Sequence, residues 1–278
     1  MRAALALCLL TAAPASANPE LLEFMGGQGC TFGADRGAVA KATGLRVDTI
    51  NAFIAQSLDD GTAVQECEYV VLGEKVCTIR LLDVESAYTV ASPEIVAMTS
   101  PVDAYAADGD PGCFLVDPLS AFDALDGGSP GAGFADYIAF IGAGIISGDL
   151  RFYSPSVLRT PFGFQNVRGP CAAVPDIEVI DRSHVALTTG FGGYIRALGA
   201  ETLCEGDQSG DLSYEVSVMA QYTATVQGFD LSDKEKDQPR INAWLWFEYD
   251  LIAMAAGWHE GLTSTERGTP RPPLCHYD

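Results

Sequence analysis

The chain has 278 residues, with 37 acidic and 16 basic side chains and a formal net charge of −21. A surface this negative repels nucleic acid and anionic lipid, which excludes phosphate-backbone binding as a leading activity. Hydrophobic residues make up 48% of the chain. That is enough for a folded core, in one large domain or two smaller ones, rather than an acidic disordered chain.

Residues 1–17, "MRAALALCLLTAAPASA", place Arg2 before an apolar run and then Ala15-Ser16-Ala17, a small-x-small cleavage site. That order predicts a secretory signal peptide. Leu7 precedes Cys8 where a lipoprotein signal needs a small residue, so no lipid anchor is expected. No later stretch is long and apolar enough to span a bilayer without a charge. Composition then divides the chain into a small helical module with a β-hairpin over 18–90, a Pro-rich linker over 91–112, and a larger, mainly helical domain over 113–278.

In "NPELLEFMGG", Asn18 can cap a helix, Pro19 fits its first turn and Gly26 stops it. Asp35 can cap a second helix through Thr43, with Gly44 in a left-handed turn. A third helix is predicted over 48–58, with Ile50, Phe53, Ile54 and Leu58 on one face. "EYVVLGEKVCTIRL" reads as a β-hairpin around Gly73. In the second part, Asp117-Pro118 opens a short helix through Leu125, and "FADYIAFIGAGIISG" predicts a buried helix weakened by Gly142 and Gly144. "RFYSPSVLRTPFGFQNVRGP" is expected to be irregular, and "FGGYIRALGA" a short amphipathic helix. The segment 211–228 satisfies both a strand alternation and a helical stripe. "INAWLWFEYDLIAMAAG" predicts a buried helix ending at Gly257. The fold class expected is mainly α within an α+β whole, stapled by disulfides.

Seven cysteines follow the signal: Cys30, Cys67, Cys77, Cys113, Cys171, Cys204 and Cys275. In an exported chain they predict about three disulfides and one thiol left over. Cys30 with Cys77 would close the first module and leave Cys67; Cys67 with Cys77 across the hairpin is the alternative. The later four can pair in three ways. A bridge to Cys275 would fix the Pro-rich tail "RGTPRPPLCHYD". There is no C-x-x-C, and His184, His259 and His276 lack ligand spacing, so neither a metal nor a cofactor is expected.

Residues 36–56 have the outline of a DNA-binding helix-turn-helix. The second helix, "VDTINAFIAQS", carries no Lys or Arg, and Asp35, Asp48, Asp59 and Asp60 outnumber Arg36, Lys41 and Arg46. Such a helix cannot neutralise phosphates, so the pattern reads as two helices packing at a corner. "CEGDQSGDL" resembles the nucleophile stretch of trypsin-like proteases, but Gln208 splits Asp207 from Ser209 and no matching histidine segment exists. It reads as an acidic turn.

The catalytic candidates are Glu248, His259 and Glu260 in "FEYDLIAMAAGWHEG". A carboxyl buried on an apolar helix acquires the raised pKa of a general acid, and His259 with Glu260 could act as base. The competing reading is a salt-bridged or partly exposed Glu248 and a helix-end cation at His259, with Arg196, Arg240, Arg267 and Arg271 as partners. Arg151, Tyr153 and Arg159 combine arginines with aromatics in a long loop, a pattern suited to a sugar, peptide or carboxylate ligand. Cys67 is a candidate redox thiol.

Taken together, "GCTFG…AVAKATG", "CTIR", "LRFYSP", "GFGGYIRALG", "INAWLWFE" and "TPRPPLC" resemble a group of uncharacterised exported bacterial proteins with no assigned activity. The resemblance spans most of the chain after the signal, and implies a periplasmic or secreted location and one protein unit. The function expected is binding or structural, without catalysis, toward a small molecule, an envelope polymer or an envelope protein. A hydrolase of an envelope polymer is the alternative.

Overall fold

The structure is a computed structural model that describes residues 18–99, 112–115, 118–152, 163–173, 177–204 and 245–278. The signal segment, Tyr153, Arg159 and the ambiguous stretch 211–228 lie outside the described residues.

The first helix starts where its cap demands. Asn18 accepts the backbone N–H of Glu20 at 2.8 Å, and α1 spans Pro19–Gly27. It runs past the expected stop, where Gly26 packs against the segment around Thr78; a Cβ there would sit 2.7 Å from the Thr78 carbonyl oxygen. Strand β1 (Thr31–Phe32) leads to α2 (Arg36–Thr43), capped by the Asp35 carboxylate on the Ala38 N–H. Gly44 takes a φ of 68°, and α3 (Val47–Asp59) follows, burying Ile50, Phe53 and Ile54. The helix-turn-helix outline thus forms as two helices joined at Gly44, with α3 packing its apolar face into the core.

The hairpin forms, but not around Gly73. Strands β2 (Ala63–Glu66) and β3 (Tyr69–Leu72) pair antiparallel, with Glu66 opposite Tyr69. The tight turn is Cys67-Glu68, where Cys67 adopts a φ of 51°. Gly73 instead ends β3, its N–H bonding to the Thr62 carbonyl at 2.8 Å. The stretch after it cannot be the second strand, because Cys77 is held 5.7 Å (Cα–Cα) from Cys30 by a disulfide. Strand β1 joins β3 on its other side, giving the order β1-β3-β2.

In the second part, α4 (Pro93–Met98) lies inside the segment read as linker, and β4 spans Phe114–Leu115. The predicted helices appear as α5 (Leu119–Leu125) and α6 (Phe134–Ser147). The segment expected to be irregular supplies two strands, β5 (Leu150–Phe152) and β6 (Phe164–Asn166), which with β4 make an antiparallel sheet in the order β4-β6-β5. A short 3-10 helix covers Gly169–Ala173. Helix α7 (Ile177–Glu201) is far longer than the short helix predicted from its end. Its glycines are close-approach points: a Cβ on Gly192 would lie 2.2 Å from the Ile79 carbonyl oxygen, and one on Gly199 2.1 Å from that of Pro273. Helix α8 spans Leu245–Ala255, and β7 (His259–Glu260) pairs with β8 (Thr269–Pro270).

Helices α6 and α8 pack at the centre. Gly142 permits this, since a Cβ there would fall 2.4 Å from that of Ala255. One continuous core draws Leu21, Ile50 and Leu72 from the first part and Ile141, Phe191, Ile252 and Trp258 from the second. Three disulfides staple it: Cys30–Cys77, Cys113–Cys171 and Cys204–Cys275. The last fixes the Pro-rich tail, helped by mutual backbone bonds between Thr202, Cys204 and His276. Cys67 is free and exposed. The architecture is α+β and helix-dominated. Among the described residues, no helix is long and apolar enough to cross a membrane.

Candidate functional site

Three polar clusters hold Glu248, Arg151, His259 and Glu260, and each has its own surroundings; Tyr153 and Arg159 lie outside the described residues. The first sits at the edge of the β4-β6-β5 sheet. Strand β5 is an edge strand, and α8 covers it. Glu248 on α8 accepts the outward backbone N–H of Phe152 through Oε1 at 2.9 Å. The carboxylate thus satisfies a donor that an open sheet edge would leave unpaired. Glu248 is 0% exposed, and its Oε2 has no hydrogen-bond partner among the described residues. Burial pushes its carboxyl up to about 7, while Arg151 and the Phe152 N–H pull the other way.

Arg151 stands in β5, 1% exposed, directly opposite Gln165 of β6. Its guanidinium donates to the Ile145 carbonyl at 3.1 Å and to that of Leu150. Ile145 lies in the last turn of α6, where carbonyls lack helical partners and a cation is favoured. Arg151 is therefore a buried helix-end cation rather than a loop side chain presented to solvent. It acts on Glu248 through its charge, without a contact ion pair. His184 of α7 shares this helix end, with Nε2 3.2 Å from the Ile146 carbonyl oxygen. Burial, then the charge of Arg151, hold its imidazole below the usual range.

The second cluster is centred on Asp250, which the helix turns away from Glu248. Arg267 donates to its Oδ1 at 2.8 Å, and His259 Nε2 lies 3.7 Å from the same oxygen. Burial raises the Asp250 carboxyl, and Arg267 opposes that shift. His259 is buried in β7, and desolvation, reinforced by Arg267 and Arg271, pushes it down to about 4. It is a neutral imidazole at pH 7, not a helix-end cation.

The third cluster gathers residues far apart in sequence. Glu260 accepts a hydrogen bond from the Tyr69 hydroxyl. Arg271 places its guanidinium 5.8 Å from the centre of the Tyr69 ring. It is anchored by Nε to the Gly257 carbonyl at 3.2 Å and by Nη1 to that of Pro272 at 3.0 Å. Burial and the neighbouring Glu260 raise the Tyr69 phenol, so it stays protonated. These side chains line a cavity of about 380 Å³ together with apolar Phe24, Met25 and Val39 and polar Gln28, Thr31 and Asp35.

Glu248, His259 and Glu260 are thus not one constellation. Glu248 faces a sheet edge, His259 an aspartate, and Glu260 a tyrosine. Of the arginines considered as partners, Arg267 serves Asp250 and Arg271 flanks Tyr69, while Arg196 donates to the Leu72 and Cys77 carbonyls. Sequence reasoning misses the part of Tyr69, because only the tertiary fold brings it to Glu260. No group of three or more His, Cys, Asp or Glu side chains among the described residues is arranged to hold a metal ion. Comparison with protein-family models, curated proteins and solved structures gave no match.

Proposed function

We propose that the protein is an exported, disulfide-stapled binding protein that works without catalysis. The observation that carries this reading is the separation of the three candidate catalytic groups. A hydrolase needs an acid and a base converging on one scissile bond. Here the acid with the raised pKa is sealed and bonded to a backbone amide, and the base candidates face other partners. The disulfides support an oxidising compartment, in keeping with the signal-like N-terminus and the resemblance to exported bacterial proteins.

The hydrolase alternative draws its support from one observation, the carboxyl of Glu248 raised to about 7. Burial alone produces such a shift, and structural acids share it. The test is a thermal-shift screen of the oxidised protein against sugars, peptidoglycan fragments, amino acids, short peptides and divalent metals. A ligand at a hundred times its dissociation constant adds about 2.7 kcal/mol. For a chain of this length the midpoint should then rise by about 5–10 °C. Binding retained by Glu248→Gln, without turnover of any polymer, supports the proposal. Turnover lost in that variant overturns it.

A further inference from the structure

We infer that Arg151 and Glu248 form a two-state latch between α6 and α8. With the carboxyl neutral, the guanidinium serves the end of α6; with the carboxyl ionised, it turns its Nε–H to Glu248 Oε2. The latch goes beyond the binding reading and does not rest on it. Its two contact atoms are both buried and both without a hydrogen-bond partner among the described residues. They are a donor and an acceptor of opposite charge, on residues 1% and 0% exposed. Glu248 is tied through Oε1 to the amide of Phe152, the residue next to Arg151. Its second oxygen is thereby held beside the strand that carries the guanidinium.

The arrangement seen is one of two that these groups can make. Arg151 gives Nη1 to the Ile145 and Leu150 carbonyls, which leaves Nε idle. A neutral carboxyl can leave matters so. An ionised one, sealed from water, needs a partner. A charge-assisted bond to it is stronger than one to a helix-end carbonyl. Loss of the proton therefore draws the guanidinium from α6 toward α8. Burial holds the carboxyl up at about 7, which puts the change in the neutral range. The other charged groups nearby do not supply the partner. Asp149, after α6, is paired with Arg168. On α7, Asp181 is exposed and His184 faces the Ile146 carbonyl. On α8 itself, Asp250 is turned to Arg267. Gln165, opposite Arg151 in β6, also has an unpartnered Oε1, but it can offer only a neutral bond.

The test is an NMR pH titration of the full oxidised protein from about pH 5 to about 9. The Glu248 carboxyl carbon should titrate near 7. The Arg151 Nε–H and the Ile145 carbonyl carbon should follow with the same midpoint, one gaining a partner and the other losing one. An Ile145 carbonyl that stays unchanged while Glu248 titrates overturns the latch. So does a Glu248 carboxyl already ionised at the acid end of the range. In Glu248→Gln, which keeps an acceptor for the Phe152 amide but carries no titrating proton, both follower signals should be flat. Their persistence there overturns the latch. His184→Gln should leave the joint titration intact, and its loss in that variant also overturns the latch by making His184 the titrating group. If Glu248→Gln fails to fold, the wild-type Ile145 signal and His184→Gln still decide. None of these outcomes bears on whether the protein binds a ligand.

Discussion

Glu248 lies in the first turn of α8 and Glu260 just beyond its far end, and the fold treats them in opposite ways. Glu248 is buried among core side chains, its charge opposed by desolvation and its oxygen committed to a strand-edge amide. Glu260 lies at the surface on a two-residue strand, where it accepts a hydrogen bond from the Tyr69 hydroxyl. The lesson is that a perturbed acid is not by itself a site. Access and convergence of partners decide what a carboxylate can do.

The largest effect should come from breaking the buried side of this contrast. Arg151→Ala leaves the end of α6 and the Glu248 carboxyl without their cation, and should cost about 3–5 kcal/mol. Calorimetry should show the midpoint falling by roughly 10 °C. Replacing Cys204 and Cys275 together by serine should cost about 4 kcal/mol, because it frees the tail that carries Arg271. Denaturant unfolding measures that loss, and an unchanged midpoint would deny the bridge its role.

The pH dependence sharpens the same comparison. The folded pKa of Glu248 lies above its unfolded value of 4.5, so its contribution is fully present below pH 4.5. It is lost as pH rises to about 7, a change of about 3 kcal/mol. His259 has the reverse sign. Its folded pKa of about 4 lies below 6.5, so stability is lost as pH falls from 6.5 toward 4, again by about 3 kcal/mol. The two oppose each other in the wild type between pH 4.5 and 6.5. Glu248→Gln should unmask His259, with stability rising across that window. It should also exceed the wild type in stability at pH 8. His259→Gln should unmask the decline due to Glu248, to which the raised Asp250 adds in the same direction.

Smaller effects test the packing and the cavity wall. Gly142→Ala gains helix propensity but drives a methyl against Ala255. The net loss should be about 1–2 kcal/mol. Tyr69→Phe removes the hydroxyl that Glu260 accepts. It should lower stability by only about 1 kcal/mol, since the partner is partly solvated.

What is legible in the sequence follows the range of the forces involved. Caps and turns are local, so Asn18, Asp35 and Gly44 mark their helix ends correctly. The helix-turn-helix outline is legible for the same local reason, since its turn residue and the apolar face of its second helix are read from neighbouring positions. Cys30 with Cys77 follows from closure of the first module. The hairpin turn is misplaced because Gly73 is the usual breaker, whereas a positive φ at Cys67 is set by the fold around it. The length of α7 is hidden because its glycines read as weak points. Their purpose, contact with the backbone at Ile79 and Pro273, is tertiary. The burial of Glu248 is one of two readings of an apolar helix. Its actual partner, a backbone amide on a strand edge, leaves no mark in any side-chain pattern.

The most direct test of the account compares the wild type with Glu248→Gln in one ligand screen, with turnover of envelope polymers assayed in parallel. The account predicts that ligand-induced stabilisation survives in Glu248→Gln, with no turnover in either form. A polymer-cleaving activity in the wild type that Glu248→Gln abolishes would contradict it.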